Sequence, residues 1–123
     1  MIPMKVRELS GLALDLWACR ALLAEFEGQK LTPEVIEQVK NRIGSYPFRP
    51  STDWAAAGPI IQRERIAVYW DVDEWVALWR AEAGPAGTLH ANGPTMVGPS
   101  ALVAAMRCFV AAKFGDEVDH EDA

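Results

Sequence analysis

Seven side chains are suited by type and spacing to hold a small ring-bearing anion: Thr52, Asp53, Trp54, Arg63, Arg65, Ser100 and Arg107. Tryptophan offers a flat face for stacking, aspartate accepts from ring or ribose donors, and the arginine fork matches phosphate and carboxylate oxygens. Arg63 and Arg65 are two apart, so on a strand they would share a face. Ser100 and Arg107 are seven apart, nearly in line on a helix and about 11 Å from each other. Ser100 falls in the first turn of that helix, beside unpaired N–H groups and the positive end of the dipole. Each group also has a plainer explanation. Ser51 or Thr52 can cap a helix ahead of a core tryptophan, the arginine pair can be solvated surface, and Arg107 can pair with a carboxylate of the body.

Catalytic patterns are missing from the sequence. It has no Gly-x-Ser-x-Gly elbow, no phosphate loop ending in Lys-Ser/Thr, and no histidine placed to activate Ser51 or Ser100. His90 and His120 fall in a loop and a tail, and Cys19 and Cys108 sit in apolar helical patterns as cytosolic buried thiols, so no zinc site is expected. Acid–base work by Asp53 and Glu64 is the remaining hydrolytic reading, and no spacing argues for it. The expectation is a protein that is not an enzyme, with no cofactor and no metal.

Charge narrows the partners. Asp116, Glu117, Asp119, Glu121 and Asp122 supply five of the 17 acids, and the remaining acids balance the 12 Lys and Arg. Residues 1–115 then read as one neutral globular domain and 116–123 as a solvated acidic tail. With no basic run there is no footprint for a phosphate backbone, so no nucleic acid polymer is expected. The apolar stretch from Leu12 to Leu23 is broken by Asp15 and Arg20, and no signal segment is recognisable, which predicts a soluble cytoplasmic chain without a membrane span.

The elements that must position these residues follow from periodicity. Leu12, Leu16, Cys19, Leu23 and Phe26 recur at helical spacing, and Leu14, Trp17, Ala21 and Ala24 form a second stripe, predicting a first helix buried on two sides. Thr32 and Pro33 open a second helix carrying Val35, Ile36, Val39 and Ile43. The segment 46–50 reads as an extended connector, followed by a short helix from Trp54 to Ala57 that Gly58-Pro59 breaks or kinks. Arg65 to Trp70 predicts a strand, and Asp71 with Glu74 resembles a capping box for a helix bearing Val72, Trp75, Val76 and Trp79. Residues 84–98 read as a long loop. Pro99 to Phe114 predicts a helix apolar all round, which must be covered all round. Its cover is either the rest of this chain or a second subunit, and a homo-oligomer is expected. The fold class is α+β, a small mostly antiparallel sheet packed by two long apolar helices, with additional short helices. The sheet is assigned to Met4–Glu8, Arg65–Trp70 and Glu117–Asp119.

Three segments carry a resemblance: Met4 to Asp15, Ser51-Thr52-Asp53-Trp54 through Gly58-Pro59-Ile60-Ile61-Gln62-Arg63-Glu64, and Gly98-Pro99-Ser100 through Met106-Arg107-Cys108 to Val118. They resemble the NinX-like family of small tailed-phage proteins, whose biochemical role is largely unassigned. The chain departs from that pattern in the helix at 32–43 and the Trp-rich stretch at 71–83. The resemblance implies a phage protein acting in the host cell cytosol. On that footing two functions are expected: a counter-defence sponge for a small anionic nucleotide-like host signal, with pockets at a subunit interface, or an adaptor that binds a host or phage protein.

Overall fold

The computed structural model describes residues 2–30, 32–44 and 47–119. It has an α+β fold, in which the described residues form four α-helices and seven short strands. The chain starts with β1 (Pro3–Lys5), then α1 (Gly11–Leu23), α2 (Pro33–Ile43) and α3 (Trp54–Glu64). It continues through β2 (Ile66–Asp71), β3 (Glu74–Trp79), β4 (Glu82–Ala83), β5 (Leu89–His90) and β6 (Thr95–Gly98) to α4 (Ala101–Phe114) and β7 (Glu117–Asp119). No described helix is long and apolar enough to cross a membrane.

Helix α4 is the axis of the molecule. Phe109, Met106, Val110 and Cys108 are fully buried in it, and Ala104 and Ala105 let neighbouring backbone come close. Its partners are the sheet β2-β3-β6 on one side and α1 on the other, with α3 and β7 closing the remainder. Burial of large apolar side chains stabilises such a core by about 1.5–3 kcal/mol each. An all-round apolar helix is thus covered within one chain, and its small-residue face needs no second subunit. Gly98 ends β6 hard against α4: a Cβ there would stand 2.8 Å from the Ala104 nitrogen.

The sheet differs from the sequence expectation. Residues 71–79 are not a helix but the turn and second strand of a hairpin, with Asp71 opposite Glu74 and Trp70 opposite Trp75. A spacing of three that resembles a capping box is also the spacing across a two-residue turn, and Val72 adopts φ 58 to make it. Strand β3 is central, so Val76, Ala77 and Leu78 are buried in succession and lose the alternation that would mark a strand. The segment 84–98 is not a structureless loop, because its end supplies β6, paired to β3 from Trp75–Gly98 to Leu78–Thr95. Strands β1 and β7 pair only with each other, so the segments near Met4 and Val118 form a separate two-stranded ribbon rather than joining β2. Val118 is buried by it, which places part of the expected acidic tail in the fold; residues 120–123 lie outside the described residues.

Two helices also differ. Helix α3 continues through Gly58-Pro59 to Glu64, capped at its start by Asp53, whose carboxylate accepts from the Ala55 N–H at 3.0 Å. Pro59 cannot bond the Ala55 carbonyl, but both residues are exposed, where water can satisfy that oxygen. Helix α1 buries only the Leu14, Trp17, Ala21 side; Leu12 is 75% exposed and Leu16 faces outward. Helix α2 begins as expected, with Thr32 accepting from Val35 N–H, yet none of its residues is fully buried.

Candidate functional site

Asp15 fixes the geometry of the site. It is an acid within an apolar helix, 7% exposed, and its Oδ1 accepts from the Ser51 N–H at 2.8 Å. That bond ties the turn entering α3 to the side of α1. The turn is closed further by the Thr52 and Asp53 N–H groups, which both donate to the Arg49 carbonyl. The start of α3 is thereby set beside the start of α4, where the Ser100 hydroxyl accepts from Val103 N–H at 3.1 Å.

Ser51, Thr52, Trp54, Ser100, Ala101 and Leu102 line one cavity of about 290 Å³ between these two helix starts. Three of the seven sequence-assigned residues, Thr52, Trp54 and Ser100, meet there, and Asp53 caps the helix at its edge. Trp54 is 60% exposed and makes no ring contact among the described residues, so it is not the core tryptophan of the plainer explanation. The Ser51 hydroxyl is buried without a hydrogen-bond partner. Among the described residues the N–H groups of Ala101 and Leu102 also have none, because capping serves Val103 and the Ser100 carbonyl serves Ala104. Two helix N-termini together present about one positive charge equivalent. No cationic side chain lines the cavity.

The arginines go elsewhere. Arg63 and Arg65 do not share a strand face: Arg63 is in the last turn of α3, and Arg65 is the left-handed C-cap with φ 57. The Arg65 carbonyl accepts from Arg80 N–H at 3.1 Å, so its backbone joins the helix end to the end of β3. Nine residue steps along α3 separate Arg63 from Trp54, roughly 13.5 Å of helix rise. Among the described residues Arg107 neither reaches back to Ser100 nor pairs with a carboxylate. Its Nε donates to the Leu9 carbonyl and its Nη1 to the Val97 carbonyl, both at 2.8 Å. Burial lowers its pKa from the ordinary guanidinium value, and it clamps the chain before α1 to β6. Asp53 and Glu64 stand at opposite ends of α3, farther apart than the roughly 5–9.5 Å over which two carboxylates share one glycosidic bond, the best-defined case of paired acid–base work.

Sequence reasoning missed a second cluster. Glu64 is 7% exposed and lies among Arg63, Arg80 and Lys113, at 3.6, 3.2 and 3.8 Å. An acid flanked by arginines at 63 and 65 was its only signal, since Arg80 and Lys113 arrive from other elements. Burial pushes the Cys108 thiol up to about 12 and raises that of Cys19 against the opposing pull of Arg20. Among the described residues no group of His, Cys, Asp and Glu could hold a metal ion.

Residues 5–113 match the family model described as Bacteriophage P22, NinX. No curated protein matches the chain.

Proposed function

We propose, from the premise that the chain belongs to the bacteriophage P22 NinX family, that it is a binding protein that sequesters a small anionic nucleotide-like molecule. The supporting observation is the cavity where the starts of α3 and α4 meet. Trp54 supplies an exposed ring for a base to stack on, a contact worth about 1–3 kcal/mol. The free N–H groups of Ala101 and Leu102, with the Ser51 hydroxyl, offer donors to phosphate oxygens. Asp53 keeps one carboxylate oxygen for a ribose or ring donor, the other being spent on Ala55. About one unit of positive charge equivalent suits a monoanion such as a phosphodiester. As a phage protein it would act in the host cytosol, removing a host defence signal by mass action rather than by chemistry. A second copy of the chain over Trp54 would enclose the ligand.

Native mass spectrometry of the protein purified from infected cells, recording subunit number and any co-purifying small mass, tests this reading. A nucleotide-sized adduct that is lost in Trp54→Ala, with a melting temperature close to the parent, is the expected result. A bare chain that also shows no tryptophan quenching by AMP or cyclic di-AMP sinks it.

A second reading, an adaptor for a host or phage protein, is favoured by a separate feature. An apolar groove of about 670 Å³ runs along α1 and α2, lined by Leu16, Trp17, Leu23, Phe26, Val39 and Phe114. Leu16→Glu would then abolish retention of the partner while leaving ligand-induced quenching of Trp54 intact.

A further inference from the structure

We infer that the other end of α3 carries a second, independent anion site, one that takes a phosphate oxyanion. Four elements converge there on a half-open cavity of about 180 Å³, lined by Arg42, Arg63 and Lys113 with Glu25, Glu64 and the ring of Phe109. The cations outnumber what the carboxylates need. Arg42 engages Glu25 directly, and Arg80 donates to Glu64 Oε2 at 3.2 Å. Those two contacts already give each carboxylate a hydrogen-bonded cation. Arg63 and Lys113 are additional, and they approach Glu64 only at 3.6 and 3.8 Å, beyond ordinary hydrogen-bond range.

Beyond their ion pairs with Glu64, the Arg63 and Lys113 side chains make no hydrogen bond among the described residues, so their donors remain unspent at the cavity. Both side chains are 36% exposed, enough to admit a ligand but not to be fully hydrated. Glu64 is the fixed counter-charge that draws both cations inward, and Phe109 carries the Lys113 ammonium 5.9 Å from its ring centre. The cavity-lining Arg42, Arg63 and Lys113 exceed Glu25 and Glu64 by one positive side-chain charge, and Arg80, bonded to Glu64 from outside the lining, is a fourth cation; the C-terminal ends of α2, α3 and α4 set partial negative charge against them. An oxyanion can take up the unspent donors, and the Arg63 fork can bind two of its oxygens. Free phosphate and the terminal phosphate of a monoester share this chemistry.

Arg63 is roughly 13.5 Å from Trp54 along α3, so the test of this site is separable from that of the sequestering site. Inorganic phosphate is titrated into the full chain at constant ionic strength, followed by amide and arginine side-chain NMR, with sodium chloride as control. The site predicts shifts at Arg63, Lys113 and Phe109, none at Trp54 or Ser100, and a rise in melting temperature with phosphate alone. Arg63→Ala with Lys113→Ala should weaken phosphate binding at least tenfold, while Arg63→Lys retains most of it. The conservative variant covers the case in which the double variant does not fold: it keeps the charge but loses the fork, so a folded Arg63→Lys protein should bind phosphate measurably more weakly than the parent, and an unchanged dissociation constant there counts against the site. Glycerol 3-phosphate run in parallel assigns the source: tighter binding than phosphate selects a monoester, equal binding free phosphate. Equal shifts with chloride, or an undiminished dissociation constant in a folded Arg63→Ala/Lys113→Ala protein, overturn the inference.

Discussion

Replacing Arg107 by alanine separates a structural clamp from a ligand residue. The guanidinium makes two charge-assisted bonds of 2.8 Å, to the carbonyls of Leu9 and Val97, and no contact with the cavity at Ser100. Leu9 is fully buried while Val97 is 38% exposed, so the two carbonyls respond differently. Losing the donor to the oxygen of buried Leu9 leaves an acceptor that water reaches poorly, at a cost of about 1–3 kcal/mol. The Val97 oxygen is rehydrated and its loss costs about 0.5–1.5 kcal/mol. Together these give roughly 2–4 kcal/mol. With an unfolding entropy near 2.1 cal/mol/K per residue, a chain of 123 residues loses about 8–15 °C in melting temperature. Arg107→Lys, which can serve one carbonyl at a time, should fall between. The assay is thermal unfolding by circular dichroism, paired with Trp54 quenching by AMP below the transition. A shift under about 3 °C, or loss of quenching in a fully folded variant, refutes the clamp and returns Arg107 to the ligand.

Asp15→Ala removes the acceptor for the Ser51 N–H and should destabilise the protein by about 1.5–3 kcal/mol. In the same variant Trp54 quenching should weaken, because the turn that sets α3 beside α4 is released; unchanged quenching in folded protein would show that other contacts hold the turn. Cys108 titrates near 12 in the folded protein against 9.0 for a free thiol. Between those values the unfolded chain has lost a proton that the folded chain keeps, so stability falls as pH rises from 9 towards 12, with a limiting slope of about 1.4 kcal/mol per pH unit. Cys108→Ala should flatten that part of the profile in urea unfolding, and the thiol of the parent should resist iodoacetamide at pH 8; a thiol alkylated in native protein contradicts the assigned burial.

Local chemistry alone determined much of this protein. Thr32-Pro33 opens a helix because it places an acceptor and a fixed φ where N–H groups are orphaned; the start at Trp54 was legible too, but its cap is Asp53 rather than Ser51 or Thr52, and Ser100 caps the last helix instead of lying in its first turn. The neutral body and the all-round apolar run of 101–112 were equally legible, and that run forced a helix buried on every side. Tertiary structure decided what the same residues could not. Asp71 and Glu74 fit a helix start and a two-residue turn equally well, and only pairing with β2 and β6 selects the turn. Arg63, Arg65 and Arg107 were grouped with Ser100 by type, but the continuation of α3 through Pro59 carries Arg63 to the opposite end of the helix. Packing of α4 against the segment before α1 spends Arg107 on carbonyls. Glu64 gathers Arg63, Arg80 and Lys113 because chain crossings bring together charges far apart in sequence, where no periodicity records them.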